Sequence, residues 1–169
     1  MCKRGVFLTK IEMDARAKIN LTLDGVAKRP DGYHEVEMLM QAIDLKDHIT
    51  LELAAPGEIT VETDSPDLSA GEDNVAYKAA KLMMDEFFLD AGVKVTLKKN
   101  IPLAAGLAGG SADAAAVILG IDRLFELKTP KSRLRELGVM IGADVPFCIN
   151  GGTALARGIG EKLTPLKAA

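Results

Sequence analysis

A glycine-rich segment that runs directly into a row of alanines is the feature that most constrains this chain. Residues 102–116 read PLAAGLAGGSADAAA, so that three glycines and Ser111 precede the alanine-rich stretch. Because glycine has no side chain and tolerates positive φ, successive backbone N–H groups of such a loop can converge on an anion. A helix that begins behind the loop adds the partial positive charge of its N-terminus. The segment therefore predicts a phosphate-binding loop followed by a helix over residues 112–125.

A loop that only turns a strand into a helix is the alternative interpretation, since glycine patterns often serve tight packing. The segment also departs from two common phosphate-binding patterns. The Walker loop requires Lys and then Ser or Thr after its last glycine, whereas Gly110 is followed by Ser111 and Ala112. A dinucleotide fingerprint requires a strand–helix–strand unit, which this region lacks. Residue chemistry favours phosphate binding and leaves the purely structural interpretation open.

The periodicity of apolar residues predicts an α+β domain. Strand-like runs occur in seven segments, at residues 17–23, 38–43, 49–53, 59–61, 93–97, 146–149 and 153–156. Charged residues at 44–47 predict a turn between the second and third of these strands. Helical spacing follows Asp73-Asn74 and recurs at 112–125 and 132–141. Strands that come first and then mix with helices favour a mostly antiparallel sheet with helices on one side.

Composition argues against several classes of function. The 169 residues carry a formal net charge of −3 without a basic stripe, whereas nucleic-acid binders usually neutralise phosphates with a basic excess. Two cysteines and two histidines are too few for a disulfide framework or a zinc centre. The apolar runs are far shorter than a signal-peptide core or a membrane span. We expect a cytoplasmic protein that binds neither nucleic acid nor membrane, and its oligomeric state is left open.

Three segments, in order, resemble the GHMP kinases, the family of galactokinase, homoserine kinase, mevalonate kinase and phosphomevalonate kinase. The glycine-rich segment is similar to the family's phosphate loop, and residues 15–47 and 142–166 are similar to its first-strand motif and its Gly-Ala-Asp-Val-Pro segment. Residues 29–34, RPDGYH, are typical of one branch, the 4-diphosphocytidyl-2-C-methyl-D-erythritol kinases. The resemblance covers nearly all of residues 15–166. It implies the two-layer α+β fold of GHMP kinase N-terminal domains.

The resemblance implies an enzyme that uses ATP and Mg²⁺ to phosphorylate the C2 hydroxyl of 4-diphosphocytidyl-2-C-methyl-D-erythritol, in non-mevalonate isoprenoid biosynthesis. It implies that Lys18 and Asp144 are catalytic, with Asp144 as the base and Lys18 as its partner. Residue chemistry alone allows other readings of both positions. A lysine between Ala17 and Ile19 could extend its ammonium group to water at a sheet edge, and an aspartate before Val-Pro commonly lies at a turn or helix end.

The resemblance also implies which residues bind the small-molecule substrate and the nucleotide. Tyr33 and His34 would recognise the cytosine, although a turn with two exposed rings is the alternative, and Asn20 would line the same pocket. Asn74 would lie near the adenine, although it could be only an N-cap, and Lys99 would border the nucleotide. Ser111 would also contact the Mg²⁺ ion that ATP carries. The other residues that the resemblance implies in nucleotide binding lie in the loop, together with Ser111: Pro102, Ala104, Ala105, Gly106, Leu107, Ala108, Gly109, Gly110, Ser111 and Ala112.

Two departures from the family pattern accompany this resemblance. Ala112 stands where many relatives have a second serine. GHMP kinases also carry a C-terminal domain, so we expect residues 1–169 to form the N-terminal ATP-binding domain of a truncated protein with weak or no activity alone. Three alternatives stay open: a GHMP kinase for another substrate, which Tyr33-His34 opposes; an RNA-binding module of the same fold, which the acidic charge opposes; and an inactive fragment.

Overall fold

The computed structural model describes residues 8–28, 30, 32 and 34–167. Its strands, in chain order, are β1 (Lys10–Lys28), β2 (His34–Ala54), β3 (Ile59–Thr63), β4 (Gly92–Lys98), β5 (Thr153–Arg157) and β6 (Lys162–Leu166). Its helices are α1 (Val75–Glu86), α2 (Gly109–Leu124), α3 (Lys131–Ile141) and α4 (Val145–Asn150). Strands and helices are therefore intermixed after β3, as the apolar pattern predicts.

The long strand β2 organises a single six-stranded sheet. β1 pairs antiparallel with it along almost its full length, from Lys10 opposite Glu52 to Lys28 opposite His34. The other edge of β2 is shared, because β4 pairs with its C-terminal part and β5 with residues 38–41. β3 pairs with β4 in parallel, and β6 pairs antiparallel with β5. The sheet is thus mostly antiparallel, and the α+β fold predicted from the sequence is confirmed.

The helices bury one face of the sheet, and α2 lies at the centre of that layer. Ten of its sixteen residues are buried, including the run from Ala112 to Ile118. Such complete burial follows from its composition, because small alanines let α2 approach α1, α4 and the sheet closely. A second, smaller apolar cluster joins β2, α4 and β5: Met38, Met40, Phe147, Ala154 and Ala156.

The predicted turn at residues 44–47 is wrong, because β2 continues through it. The charges in this segment are balanced across the strands. Arg16 lies 3.1 Å from the carboxylate of Asp44, and Lys46 lies 2.8 Å from that of Asp14. Opposite charges on facing strands stabilise pairing, so a segment that resembles a turn in composition remains in the ladder.

The predicted strand at residues 146–149 is also wrong, because this segment belongs to helix α4. Pro146 sits in the first turn of the helix, where its missing N–H costs no hydrogen bond. Val145, Pro146, Phe147 and Ile149 are all buried. A short apolar run that is buried all round shows no periodicity that would separate a helix from a strand.

The remaining differences concern element limits. α2 begins at Gly109 rather than at residue 112, so the last two glycines of the loop and Ser111 form the first helical turn. β6 carries no strand signal in the sequence analysis. Among the described residues, none of the helices has the length and apolar character to cross a membrane.

Candidate active site

An irregularity in the β1–β2 hairpin turns Lys18 toward the helices. Up to this point β1 alternates, with Met13 and Ala15 buried and the residues between them exposed. The register then shifts between Arg16 and Lys18, and both Ala17 and Lys18 are buried. A bulge of this kind redirects side chains to the other face of a strand, and bulges are frequent beside active sites. The irregularity therefore places a lysine on the face that a regular strand would give to an apolar residue.

The buried ammonium group of Lys18 has two polar neighbours. Its Nζ donates to Asn20 Oδ1 at 3.3 Å and lies 3.6 Å from Asp144 Oδ2. Lys18 is 6% exposed, whereas the Asp144 side chain is 32% exposed. A buried ammonium group needs a counter-charge, and Asp144 supplies it while one side of its carboxylate stays open to solvent. The ion pair predicted between these two distant residues is present.

Asp144 occupies the N-cap position of α4 without capping it through its side chain. Its backbone carbonyl accepts from Cys148 N at 3.1 Å, so the residue is held by the main chain. The carboxylate is consequently free to face Lys18. This arrangement agrees with the helix-end reading of Asp144 and with an exposed, functional carboxylate at the same time.

The glycine-rich loop has the backbone shape of an anion-binding nest. Ala104, Gly106 and Ala108 have φ values of 55°, 75° and 57°, while Ala105 and Leu107 between them do not have positive φ. Alternation of left-handed and right-handed residues turns successive N–H groups to the same side of the chain. Two of the three left-handed positions are alanines, for which this conformation is unfavourable. Such strain is typical of functional loops.

The loop is joined to the Lys18–Asp144 pair through the main chain. Lys18 N donates to Leu107 O at 3.1 Å, so β1 and the loop are in direct contact at the residue that supplies the ammonium group. On the other side, a Cβ placed on Gly142 would lie 3.8 Å from Ser111 Oγ. The Ser111 hydroxyl therefore adjoins the Gly142–Asp144 segment. Loop, lysine and aspartate form one continuous site.

The N-terminus of α2 presents N–H groups that no side chain satisfies. Its N-cap, Ala108, has no polar side chain, and Ala112 N is bonded to Ala108 O. The first N–H groups of a helix have no intrahelical partner. Those of Gly109, Gly110 and Ser111 therefore add donors and partial positive charge to the nest.

Two cavities adjoin at the loop. One, of about 300 Å³, is lined by the loop itself from Pro102 to Ser111 and by Val75 of α1. The other, of about 370 Å³, lies between the start of the loop and the segment after β3, where Asp64, Ser65 and Asp67 line it. Both are lined by Pro102 and Leu103. An elongated ligand with an anionic end and a larger head can occupy the two together.

A buried ion cluster lies beneath the start of the loop. Lys99 Nζ donates to Asp113 Oδ2 at 2.6 Å and to Asp47 Oδ2. Asp47 Oδ1 accepts from the backbone N–H groups of Asn100 at 2.5 Å and Ile101 at 2.8 Å. The side chains of Lys99, Asp47 and Asp113 are 6%, 0% and 2% exposed. The cluster thus joins β2, the residues after β4 and α2.

The two carboxylates of this cluster differ in pKa. Burial alone raises the pKa of Asp47, but hydrogen bonds from Ile101 N, Lys99 Nζ and Asn100 N outweigh it, and the pKa lies below its ordinary value. Burial raises the pKa of Asp113 to about 7, although Lys99 opposes the increase. Asp113 Oδ1 has no hydrogen-bond partner among the described residues. Asp47 is therefore the well-stabilised anion of the pair and Asp113 the poorly stabilised one.

The other predicted ligand residues differ in how the structure describes them. Asn20 is exposed next to Lys18, and its Nδ2 lies 3.6 Å from Met38 Sδ. Asn74 caps α1, since its Oδ1 accepts from Ala76 N at 2.8 Å and its Nδ2 donates to Ser69 O at 2.5 Å. Tyr33 and the side chain of His34 lie outside the described residues. Contacts of these residues with substrates stay predictions.

Sequence reasoning missed Asp47 and Asp113 as parts of the site. A signal for Asp113 was present, because it is the one charged residue among the alanines at 112–116. Asp47 seemed to be part of a charged turn. Lys99 was predicted to border the nucleotide, and it lines the 370 Å³ cavity, yet its ammonium group is enclosed by the two carboxylates.

A resident metal centre has no candidate ligands in the part of the chain that the structure describes. No three His, Cys, Asp or Glu side chains there are grouped so that they could hold an ion. A divalent cation at this site would depend on oxygen ligands from a bound phosphate chain, as Mg²⁺ commonly does.

Sequence comparisons show that the chain is similar to small-molecule kinases. Residues 74–152 match the family described as GHMP kinases N terminal domain. The chain is 54% identical over 159 residues to the 4-diphosphocytidyl-2-C-methyl-D-erythritol kinase of Acetivibrio thermocellus, covering 94% of this chain and 56% of the relative. It is 52% identical to the enzyme of that name from Clostridioides difficile, covering 93% of this chain and 53% of the relative. The chain thus spans little more than half the length of the curated relatives it matches.

Solved structures agree with the sequence comparisons. A crystal structure of 4-(cytidine 5'-diphospho)-2C-methyl-D-erythritol kinase superposes with a TM-score of 0.79 at 40% identity, covering 92% of this chain and 55% of the other. Homoserine kinase from Cytophaga hutchinsonii superposes with a TM-score of 0.73 at 20% identity, covering 99% and 54%. The second likeness shows a common fold alone.

Proposed function

Since the chain belongs to the GHMP kinase family, whose N-terminal domain it carries, we propose that it provides the nucleotide site and catalytic pair of a small-molecule kinase. The proposed reaction is ATP-dependent phosphorylation of the C2 hydroxyl of 4-diphosphocytidyl-2-C-methyl-D-erythritol, a step of isoprenoid biosynthesis. The observation that carries the proposal is the Lys18–Asp144 ion pair, 3.6 Å between Nζ and Oδ2, in contact through Leu107 with an anion-binding loop.

The loop fits the triphosphate of ATP. Its alternating φ signs and the uncapped N-terminus of α2 offer backbone donors, while Gly109 and Gly110 leave room for close approach. The phosphates would occupy the 300 Å³ cavity, and the nucleoside would extend into the 370 Å³ cavity. Ser111, intermediate in exposure in the first turn of α2, offers a hydroxyl to the phosphates or to Mg²⁺. Bound Mg²⁺ would neutralise phosphate charge during transfer.

The catalytic pair supplies proton acceptance and charge stabilisation. The C2 hydroxyl oxygen attacks the γ-phosphorus, a new oxygen–phosphorus bond forms, and the bond from that phosphorus to the β–γ bridging oxygen breaks to release ADP. The hydroxyl proton passes to the Asp144 carboxylate, whose partly exposed position leaves it accessible to a substrate. The Lys18 ammonium group balances the charge of Asp144 and lies close enough to stabilise charge that develops on the attacking oxygen.

The choice of substrate rests on the relatives rather than on a pocket. Relatives at 50–54% identity are named for 4-diphosphocytidyl-2-C-methyl-D-erythritol. Asn20 is exposed and accepts a hydrogen bond from Lys18 at 3.3 Å, so it offers a polar side chain beside the Lys18–Asp144 pair. Tyr33 and His34 would recognise the cytosine as the family resemblance implies.

Nucleotide binding is tested by calorimetric titration of the chain with Mg-ATP. A Cβ on Gly109 would lie 3.1 Å from Ile101 Cγ2, so that Gly109→Val should displace the first turn of α2 and weaken binding by roughly tenfold or more. Gly25→Ala is the matched control, since nothing lies within 4 Å of its added Cβ. Equal affinity in Gly109→Val and wild type would remove the loop from the nucleotide site.

The acceptor is tested by ³¹P NMR with Mg-ATP and three candidate acceptors in parallel. We expect a new phosphomonoester signal with 4-diphosphocytidyl-2-C-methyl-D-erythritol and none with homoserine or mevalonate. The protein should be assayed as this chain and as the chain joined to the C-terminal remainder of the Acetivibrio thermocellus relative. Phosphorylation of homoserine or mevalonate in place of the cytidyl substrate would assign the protein to another GHMP specificity.

A further inference from the structure

The Asp47–Lys99–Asp113 cluster is not used by the proposed phosphoryl transfer, yet it lies where the phosphate loop begins and ends. Lys99 precedes Pro102, the first residue of the loop, by three positions, and Asp113 follows its last residue, Ser111, by two. Their side chains meet at 2.6 Å in the interior. The chain between them, residues 100–112, contains every backbone donor of the nest. The cluster therefore closes the base of this loop.

We propose that Asp113 is a positioning residue for nucleotide binding, which clamps the two ends of the phosphate loop together through Lys99 and Asp47. This inference rests on the proposed function, because it takes the loop as the phosphate site. Asp113 itself lines neither of the two cavities described above. It acts through the position of the backbone donors.

The contacts on each side of the clamp lead directly to the loop backbone. Asp47 Oδ1 holds the N–H groups of Asn100 and Ile101, the two residues before Pro102. Asn100 Nδ2 also donates to Lys46 O at 2.9 Å, so the segment that leads into the loop is hydrogen-bonded to two residues of β2, Asp47 and Lys46. A Cβ on Gly109 would lie 3.7 Å from Lys99 Nζ and 3.1 Å from Ile101 Cγ2. The first turn of α2 thus rests on the cluster.

The charge of the cluster argues for a role other than stability. Two carboxylates share one ammonium group, and all three side chains are at most 6% exposed. Burying ions often costs more than their attraction returns, and replacing a whole buried ion pair by well-packed apolar residues is often neutral or stabilising. Asp113 has fewer hydrogen bonds than Asp47, because its Oδ1 has no partner among the described residues. A carboxylate at this position is therefore explained by what it holds in place.

In the part of the chain that the structure describes, no other partner of Asp113 would explain it. The charged groups in contact with it are Lys99 and, through Lys99, Asp47. The face that α1 turns inward is apolar: Ala76, Ala79, Ala80, Met83 and Met84. Lys18 of β1 is bonded to Asn20 and paired with Asp144. In α4 the thiol of Cys148 is a further titratable group, whose pKa is raised chiefly by burial, then by the charge of Asp144, with a smaller contribution from Asp113.

The test separates binding from stability with Asp113→Asn. Lys99 keeps Asp47 as its counter-charge in this variant, so no unpaired ammonium group is left. We expect the unfolding temperature at pH 8 to be no lower than that of wild type, while Mg-ATP affinity falls by roughly tenfold, as for the loss of one charged hydrogen bond. Affinity for ADP should fall similarly and affinity for adenosine should not change, because the clamp acts on the phosphate loop.

The matched control is Asp122→Asn at the far end of α2, where Asp122 Oδ1 accepts from Thr129 N at 2.9 Å. It removes a carboxylate from the same helix and should leave all three affinities unchanged.

If Asp113→Asn does not fold, Asp113→Ala, which suits the alanine-rich helix, takes its place. A variant with unchanged ATP affinity, or with stability and adenosine affinity lost in parallel, would overturn the clamp. Absence of Mg-ATP binding by wild type would instead remove the proposed function.

Discussion

Lys18 illustrates how the local backbone decides the environment of a single residue. A charged residue beside Ala17 on a core strand is unfavourable unless it finds a counter-charge. The register shift at Arg16 and Lys18 turns the side chain toward the helices, where Asn20 and Asp144 receive it. The exposure of Asp144 leaves the pair accessible from one side.

Loss of the ammonium group should affect turnover more than nucleotide binding. We expect Lys18→Met to lower kcat by about 10³-fold, as for the loss of one preorganised charge, and to leave the Kd for Mg-ATP nearly unchanged. Asp144→Asn should behave alike, and the double variant should be little worse than either single one because the residues act as a unit. Steady-state kinetics and titration provide the measurements. A large loss of ATP affinity with unchanged kcat would contradict the assignment.

The two buried carboxylates should give opposite dependences of stability on pH. The folded pKa of Asp113 is raised from 3.8 to about 7, so its contribution to stability is full below pH 3.8 and is lost as pH rises toward 7. The folded pKa of Asp47 is lowered, so its contribution is full above 3.8 and is lost as pH falls below that value.

The contribution of Asp113 can be isolated by chemical denaturation of wild type and Asp113→Asn between pH 4 and 8. The free energy of unfolding of wild type, relative to the variant, should decrease from pH 4 to about 7 and then level off. A flat difference over this range would show that Asp113 is not destabilised by ionisation. If the series is extended below pH 4, both proteins should lose stability, since the pKa values of Asp47, Asp14 and Asp73 are all lowered in the folded state.

At the scale of elements, helix α2 connects the site to the core. Its first turn supplies N–H groups to the phosphate loop, and its later turns pack on β1 and β2. Gly120 lies in this packed part of the helix and is buried. A Cβ on Gly120 would overlap Leu51 Cδ1 and lie 3.2 Å from Met13 Cγ. The helix therefore approaches the sheet as closely as it does because this position has no side chain.

Gly120→Ala should separate helix propensity from packing. Alanine favours a helix by about 1 kcal/mol over glycine, but the overlap with Leu51 should reverse the sign and destabilise the fold by about 1–3 kcal/mol. Denaturant unfolding measures the net effect. Glu136→Ala on the exposed face of α3 is the control and should change the free energy of unfolding by less than about 0.5 kcal/mol. A higher free energy of unfolding for Gly120→Ala than for wild type would show that Leu51 and the sheet can move to make room for the added methyl group.

At the scale of the whole molecule, the chain spans 56% and 53% of the length of the relatives from Acetivibrio thermocellus and Clostridioides difficile. The far end of the β1–β2 hairpin extends away from the helix layer, and it carries apolar side chains in contact with solvent. Leu21, Leu23 and Val26 are 54%, 60% and 63% exposed. Residues 20–28 of β1 are all exposed, so the side of the site beside Lys18 and Asn20 is partly open to solvent.

Turnover should therefore depend on more than this chain. We expect the chain joined to the C-terminal remainder of the Acetivibrio thermocellus relative to phosphorylate the cytidyl substrate at least about 10²-fold faster than the chain alone, because loosely held reactants lose that much. Coupled measurement of ADP release gives both rates, and Asp144→Asn in the joined protein is the control for background hydrolysis. Equal turnover would show that this chain by itself supplies the complete active site.

The sequence by itself determined the features that depend on local chemistry. Glycines before a row of alanines indicate a loop and then a helix, and both are present within three residues of the predicted start of α2. Asn74 was recognised as the opening of α1, and its side chain caps it. The α+β class followed from the order of local periods. Each of these depends on residues fewer than about twenty positions apart, which periodicity and capping rules describe well.

Only the tertiary structure decided the features whose partners are distant in sequence. Residues 44–47 stay in a strand because Arg16 and Asp14 balance their charges across the hairpin. Lys18 faces Asp144 because the register of β1 against β2 shifts beside it. Asp47, Lys99 and Asp113 form one cluster because three elements meet beneath the loop. Nothing local encodes such contacts, since the energy of a buried charge is set by the counter-charge that folding brings to it.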